Sequence, residues 1–161
     1  MKLSISTLLI ILLSVLGCQK SEKDTGNKYL QKDANEWKNY LEEIGVENDL
    51  YRQVFLIIQT VECAPCLQEL EWWNNEGNRI QDLGLNVIII EKYRSSIETF
   101  TSTRGLIIPV YQDSSGQIFD RELIPYTPIK VFFDESSNLL AMEKMGAGGR
   151  LNEFVKIISD R

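Results

Sequence analysis

Apolar and polar positions alternate along the chain in a way that predicts helices and strands in turn. Between residues 34 and 44 the apolar side chains fall on one face of a short helix. The continuous apolar run at residues 54–58 and the segment 86–90, in which four apolar residues follow Asn86, predict strands that are buried on both faces of a sheet. Helical spacing fills the segment between these runs, from Cys63 to about residue 83, and Gly84 is placed to end that helix.

The second half of the chain continues this alternation and ends differently. The predicted elements are helices at residues 96–103, 117–123 and 151–158, and strands at residues 107–111, 129–133 and 139–145. The last two strands are joined by a short polar turn, which predicts an antiparallel hairpin. Strands separated by helices favour a parallel sheet with helices on both faces. The predicted fold class is therefore α/β, a three-layer α/β/α sandwich with a central mixed sheet.

The first 17 residues have the pattern of a secretion signal. Lys2 precedes an uncharged, mostly apolar run at residues 3–16, which would rise only about 21 Å as a helix against a hydrocarbon core of roughly 30 Å. Gly17 and Cys18 end this run, which resembles the signal peptides of bacterial lipoproteins. The resemblance implies removal of residues 1–17 and lipidation of Cys18, and Gln19 favours the outer membrane. An ordinary signal peptide with an incidental cysteine is the alternative.

The segment that follows the signal predicts a flexible tether. Residues 18–33 are polar and mixed in charge, so they bury too little apolar surface to fold. The rest of the chain, residues 34–161, then forms one domain, which suits a total length of 161 residues. The expected location is the bacterial cell envelope, with the domain lipid-anchored and facing the periplasm.

The composition excludes several kinds of chemistry. The sequence has no histidine, which excludes Ser-His-Asp and Cys-His catalysis and histidine-ligated metals. Three cysteines cannot form a four-cysteine zinc site, and we predict no metal and no cofactor. The chain has 17 basic and 23 acidic residues and a net charge of −6, which argues against nucleic acid as a partner.

The candidate chemistry lies in the C-A-P-C motif of residues 63–66. The motif follows a predicted buried strand and begins a helix, so unpaired N–H groups and the helix dipole would stabilise a thiolate at Cys63. Cys66 lies about one turn further along, close enough to form a disulfide with Cys63. This spacing favours a redox pair in which Cys63 attacks a partner disulfide and Cys66 resolves the mixed disulfide. A static disulfide is the alternative, although a two-residue loop constrains little chain entropy.

The order of motifs resembles the thioredoxin superfamily. It runs strand, C-x-P-C and helix, and then Thr127-Pro128 before a terminal hairpin and helix. The chain is more closely similar to membrane-tethered, extracytoplasmic proteins of the TlpA and ResA type, which have a redoxin-type insertion where this chain has residues 96–111. Their signature, C-x-P-C-x-x-E-x-P, is matched here through Glu69, whereas Glu71 replaces the final proline.

This resemblance implies an enzyme, a thiol–disulfide oxidoreductase. Its partners would be extracytoplasmic protein thiols and disulfides, together with a membrane or periplasmic electron donor. The Thr127–Pro128 peptide bond would be cis, and the backbone there would bind the partner chain. Glu69, one helical turn after Cys66, is a candidate for moving a proton to or from that thiol, and a solvated surface glutamate is the alternative. Glu62 replaces the family's tryptophan before the first cysteine, and its charge disfavours a thiolate.

Two other classes of function compete with this interpretation. Thr60 and Cys63 have the T-x-x-C spacing of peroxiredoxins, in which the threonine helps to position a peroxide, although Leu56 stands where that family has proline. A non-enzymatic binding module with a passive disulfide is the third class. Trp72 and Trp73 would then form a recognition surface, unless one of the two rings belongs to the core.

Overall fold

The computed structural model describes residues 34–46, 52–62, 64–76 and 83–146. The predicted signal peptide, Cys18, the tether, Cys63 and the predicted last helix lie outside these described residues.

Helices and strands alternate through the described ranges. The helices are α1 (Ala34–Glu43), α2 (Ala64–Asn75), α3 (Arg94–Arg104) and α4 (Gln117–Asp120). The strands are β1 (Gln53–Gln59), β2 (Gly84–Ile90), β3 (Val110–Asp113), β4 (Ile129–Phe133) and β5 (Leu139–Lys144). No helix within these ranges is long and apolar enough to cross a membrane.

The five strands form one mixed sheet in the order β3-β2-β1-β4-β5. The strand pairs β1–β2 and β2–β3 are parallel, whereas β4 runs antiparallel to both β1 and β5. The predicted mixed sheet and its terminal hairpin are confirmed. Because β1, β2 and β3 are parallel, their carboxyl ends meet at one edge of the sheet, and α2 begins beside the end of β1.

Both faces of the sheet are covered by apolar side chains. On β1, Phe55 and Ile57 belong to one buried cluster, which includes side chains from α1 and α4. Val54, Leu56 and Ile58 belong to a second cluster, which includes side chains from α2 and α3. The continuous apolar run on β1 therefore reflects burial on both faces, and the three-layer arrangement is confirmed.

The third strand begins later than its apolar pattern predicts. Ile107 is 74 % exposed, and the sheet pairing of β3 starts only at Val110. The Asn74 side-chain oxygen accepts a hydrogen bond from the backbone N–H of Ile107 at 2.8 Å, and its side-chain N–H donates to the Gly105 carbonyl at 3.1 Å. A polar side chain on α2 thus binds the segment that periodicity assigned to the strand.

Three predicted helix boundaries are also wrong, and one of them is the end of α4, which lies at Asp120 instead of residue 123. Gly84 does not end a helix, because it is the first residue of β2 and pairs with Gln53. A Cβ atom built on Gly84 would lie 2.1 Å from Gln53 Oε1, so a larger residue there would require the Gln53 side chain to move. At α3 the helix begins at Arg94, two residues before the predicted Ser96.

A buried carboxylate connects β3 to the start of α4. Asp113 Oδ1 accepts hydrogen bonds from the backbone N–H groups of Gly116 at 2.8 Å and Gln117 at 3.1 Å, and Oδ2 accepts one from Ile118 at 3.0 Å. The Tyr40 hydroxyl donates to the same carboxylate from α1 at 3.2 Å. Burial first, and the neighbouring Asp113 charge second, raise the pKa of Tyr40 above its ordinary range.

Candidate active site

The turn between β1 and α2 carries the predicted redox motif. Thr60, Val61 and Glu62 form the described part of this turn, and Pro65 lies in the exposed first turn of α2. The Gln59 backbone N–H donates to Glu62 Oε1 at 2.8 Å, so this carboxylate folds back on the end of the strand. Val61 is 88 % exposed beside the motif.

Cys66 is a buried, oxidised cysteine in the first turn of α2. Its side chain is 2 % exposed, it packs in the apolar cluster beneath α2, and it is disulfide-bonded. The other two cysteines of the chain, Cys18 and Cys63, lie outside the described residues. Its pairing with Cys63 stays a prediction.

Gly146 packs directly against Cys66, a contact that the sequence pattern did not indicate. A Cβ atom built on Gly146 would lie 3.1 Å from Cys66 Sγ and 3.3 Å from the Cys66 backbone nitrogen. Gly146 also has a φ of +76°, which disfavours every other residue. The close approach of this backbone to the sulfur therefore requires glycine.

The predicted cis-proline loop is connected to the same region. The Thr127–Pro128 peptide bond is cis, the geometry that the family resemblance implies. The Pro128 carbonyl accepts a hydrogen bond from the Met145 N–H at 3.2 Å, one residue before Gly146. The structure thus brings the loop and Cys66 together through residues 145–146. Tyr126, which precedes the loop, is 44 % exposed.

Glu69 lies in a network of polar contacts instead of in bulk solvent. Its side chain is 15 % exposed and forms an ion pair with Lys130. Its second carboxylate oxygen accepts a hydrogen bond from the Gly146 backbone N–H, and Trp73 Nε1 donates to the first at 3.4 Å. Glu69 therefore reaches the glycine that packs on Cys66, and the alternative of a solvated surface glutamate does not fit this geometry.

Two further charged residues complete this cluster, and neither was predicted from the sequence. Lys130 is buried in β4, and Glu143 stands directly opposite it on β5. Lys130 Nζ lies 2.9 Å from Glu143 Oε2, and the Glu143 side chain is 11 % exposed. A lysine inside the otherwise apolar run of residues 129–133 could have indicated a buried charge. Its pairing with Glu143 depends on hairpin register, which the pattern alone does not fix.

Thr60, the threonine of the predicted T-x-x-C spacing, contacts a carboxylate at the end of β2. The Thr60 hydroxyl donates to Glu91 Oε2 at 2.8 Å. The Tyr93 N–H first, and the Thr60 hydroxyl second, hold the pKa of Glu91 below its ordinary value. The arginines in the described ranges all form ion pairs with glutamates: Arg52–Glu135, Arg94–Glu98, Arg104–Glu71 and Arg121–Glu43. The threonine of the T-x-x-C spacing is thus bound to a carboxylate in the described structure.

The two adjacent tryptophans do not form a paired recognition surface. Trp73 is fully buried in the apolar cluster beneath α2, and Trp72 is only partly exposed. Their ring centroids lie 5.4 Å apart in an edge-to-face arrangement. Among the described residues, no group of three or more cysteine or acidic side chains is arranged to hold a metal ion.

Comparisons with solved structures identify the fold. A secreted Mycobacterium tuberculosis disulfide oxidoreductase, homologous to E. coli DsbE, matches with a TM-score of 0.56 and 17 % identity over 70 % of this chain and 84 % of that chain. StoA from Bacillus subtilis matches with a TM-score of 0.53 and 18 % identity over 62 % and 78 % of the two chains. An uncharacterized thioredoxin-like protein from Porphyromonas gingivalis gives 0.56 and 19 % over 72 % and 78 %.

These matches show that the chain has a thioredoxin-like fold. No protein-family model matches the sequence, and no curated protein matches it.

Proposed function

We propose that this chain is a membrane-tethered thiol–disulfide oxidoreductase that exchanges disulfides with extracytoplasmic protein partners. The observation that carries the proposal is the state and place of Cys66, a buried and disulfide-bonded cysteine at the beginning of α2. The cis Thr127–Pro128 bond, joined to this region through Met145, gives further support. So does the fold, which the chain shares with a secreted disulfide oxidoreductase.

In the proposed reaction, Cys63 and Cys66 exchange electrons with a partner disulfide in two steps. The Cys63 thiolate attacks one partner sulfur, a mixed disulfide forms, and the other partner sulfur leaves as a thiolate. Cys66 then loses its proton and attacks the Cys63 sulfur. This second step releases the reduced partner and leaves a Cys63–Cys66 disulfide, so two electrons pass to the partner. A membrane or periplasmic electron donor would restore the dithiol.

Glu69 is the proposed acceptor for the proton that Cys66 releases. Its carboxylate hydrogen-bonds to the backbone N–H of Gly146, the residue that packs against the Cys66 sulfur. Proton transfer breaks the S–H bond and leaves the electron pair on sulfur, and the carboxylate gains an O–H bond. Glu62 lacks this connection, since its described hydrogen bond is to the Gln59 N–H and not to Gly146.

The partner segment would bind along the Thr127–Pro128 loop. An extended chain placed there can pair with the Thr127 backbone in the manner of an added strand. Val61 and Tyr126 lie near the motif and the loop in sequence, and both expose apolar surface. They would supply side-chain contacts to a partner that is itself partly unfolded around its disulfide.

The proposed location follows from the amino-terminal segment. Residues 1–17 would act as a lipoprotein signal peptide, Cys18 would carry the lipid anchor, and residues 34–161 would form the thioredoxin-like domain. A flexible tether of residues 18–33 would span roughly 20 Å on average. That length leaves the redox site free to meet partners on the periplasmic side of a membrane, with the outer membrane favoured by Gln19.

Trapping of partners tests the proposed chemistry. In Cys66→Ser the first attack can occur but the mixed disulfide cannot be resolved, so partner complexes should accumulate in cells and disappear on reduction. The readout is a non-reducing gel with mass spectrometry of the trapped chains. The Cys63→Ser/Cys66→Ser double variant is the matched control and should trap nothing. Trapping by Cys63→Ser instead of Cys66→Ser would reverse the two roles, and peroxide consumption without trapping would favour a peroxidase.

Replacement of the lipidation residue tests the proposed anchor. Cys18→Ala should move the protein from the membrane fraction to the soluble fraction, because at least two acyl chains are needed for stable anchoring. The measurement is fractionation of the cell envelope together with mass spectrometry of the mature amino terminus. Cys66→Ser serves as the control, since it removes a cysteine without touching the signal. An unmodified Cys18 within the mature wild-type chain would contradict the proposal.

A further inference from the structure

The ammonium group of Lys130 lies in a buried position, which is unusual for a charged side chain. Within the described ranges it is the only buried basic side chain, with 2 % of its surface exposed. It lies on the face of β4 that also carries Phe132, which belongs to the apolar cluster beneath α2. Burial of a charge is costly unless it is paired and hydrogen-bonded, so this lysine depends on its neighbours.

Two carboxylates meet this lysine from different elements. Glu69 approaches from α2, and Glu143 approaches from β5 with its Oε2 atom 2.9 Å from Lys130 Nζ. Both oxygens of Glu143 are buried, and neither accepts a hydrogen bond with good geometry from the described residues. The ion pair with Lys130 is therefore the main compensation for the Glu143 charge.

The cluster reaches the sulfur of Cys66 through one backbone group. Glu69 accepts the N–H of Gly146, and Gly146 packs against both the sulfur and the backbone nitrogen of Cys66. Lys130 contacts Glu69, and Glu143 contacts Lys130, so both are connected to the Cys66 thiol only through Glu69 and the Gly146 backbone. Two carboxylates and one ammonium leave one excess negative charge in a buried region beside the cysteine.

We propose that Lys130 and Glu143 are positioning residues that set, in opposite directions, the pH at which Cys66 becomes a nucleophilic thiolate. Lys130 holds Glu69 in place and lowers that pH, because a nearby positive charge favours the thiolate. Glu143 raises it, because a second negative charge disfavours the thiolate. This inference rests on the proposed function, in which Cys66 is the resolving thiol.

The other charged groups near the motif do not oppose this assignment. Glu62 on the β1–α2 turn binds the Gln59 N–H, and Glu91 at the end of β2 binds Thr60 and the Tyr93 N–H. On α2, Glu71 forms an ion pair with Arg104 at 2.9 Å. Glu69, Lys130 and Glu143 are the charged side chains that the described contacts connect to Cys66 through Gly146.

The pH dependence of Cys66 alkylation tests the proposal. The full chain is used in a Cys63→Ser background, so that Cys66 is a free thiol, and iodoacetamide modification of the Cys66 peptide is followed by mass spectrometry between pH 5 and 10, a range that brackets the usual thiol pKa of about 8.5. Lys130→Met should slow alkylation near neutral pH about tenfold, which corresponds to a midpoint higher by about one pH unit. Glu143→Gln should speed it by about threefold or more.

Matched variants separate charge from packing. The Lys130→Met/Glu143→Gln double variant restores the net charge of the cluster, so its midpoint should return toward that of the background. Lys144→Met and Glu71→Gln make the same charge changes on exposed or separately paired side chains and should leave the midpoint in place. Shifts of the two single variants in the same direction, or unfolding midpoints that fall while the alkylation midpoints stay, would overturn the proposal.

The result can be obtained whether or not the protein is an oxidoreductase. Alkylation needs no partner protein, so a failure to trap partners would count against the proposed function alone. If Lys130→Met does not fold, Glu143→Gln decides the question by itself. A lower midpoint supports the assignment, and an unchanged or higher midpoint contradicts it.

Discussion

Replacing Cys63 with serine should slow the reduction of a protein disulfide by about a thousandfold or more. The thiolate is the nucleophile in disulfide exchange, whereas a serine hydroxyl is not ionised near neutral pH and does not form a disulfide. Cys66→Ser should differ in kind, because it leaves the first attack nearly intact and blocks only the second step. Formation of the mixed disulfide and release of the reduced partner therefore have to be measured separately.

The burial of Cys66 gives this prediction a second readout. Cys66 is 2 % exposed and packed beneath Gly146, so in the reduced wild-type chain iodoacetamide should modify Cys63 first. Quenched samples analysed by mass spectrometry give both labelling rates. Faster labelling of Cys66, or normal exchange by Cys63→Ser, would contradict the assigned roles. No disulfide exchange by the wild-type chain itself would favour a binding module with a passive disulfide.

The central strands could be predicted because the sheet is covered on both sides. In β1 and β2 almost every side chain is buried, so the sequence shows an apolar run in each strand, at residues 54–58 and 87–90. The bounds of β4, Ile129–Phe133, agree with the prediction for the same reason. The local sequence and the tertiary environment favour the same structure in these segments.

The errors arise where a distant side chain decides the local structure. β3 begins late because Asn74 on α2 binds the backbone N–H of Ile107. Gly84 begins β2 beneath the Gln53 side chain of the neighbouring strand and does not end a helix. Neither contact has a signature in local periodicity, since each joins residues about thirty positions apart.

The residues of the candidate site also differ in whether the sequence could predict them. The C-A-P-C motif, Glu69 and Thr127–Pro128 are recognisable in sequence because their chemistry depends on short, fixed spacings. Lys130 and Glu143 face each other only through the β4–β5 register. Gly146 contacts Cys66 only because the chain returns past α2 after that hairpin. The residues that would tune the thiols are therefore those that sequence spacing does not connect to them.

Asp113 should be a costly residue to replace, because several groups of the described fold depend on its carboxylate. Asp113→Ala should lower the free energy of unfolding by about 3 kcal/mol, because it leaves the first N–H groups of α4 and the Tyr40 hydroxyl without their acceptor. Urea unfolding of the reduced chain at pH 7 provides the measurement. Tyr40→Phe is the matched control and should cost about 1 kcal/mol, since it removes one donor and keeps the helix cap.

Alkaline pH separates the contribution of Tyr40 from that of the cap. Burial and the Asp113 charge raise the pKa of Tyr40 in the folded chain, whereas an unfolded tyrosine ionises near about pH 10. The stability that protonated Tyr40 contributes is thus complete below that pH and is lost as the pH rises above it. The difference in the free energy of unfolding between wild type and Tyr40→Phe should narrow from pH 9 to pH 11, on either side of that pKa of about 10. Asp113→Ala should remain the less stable variant over the whole range. Equal losses for the two variants at pH 7 would mean that Asp113 acts on Tyr40 alone and that α4 does not depend on it.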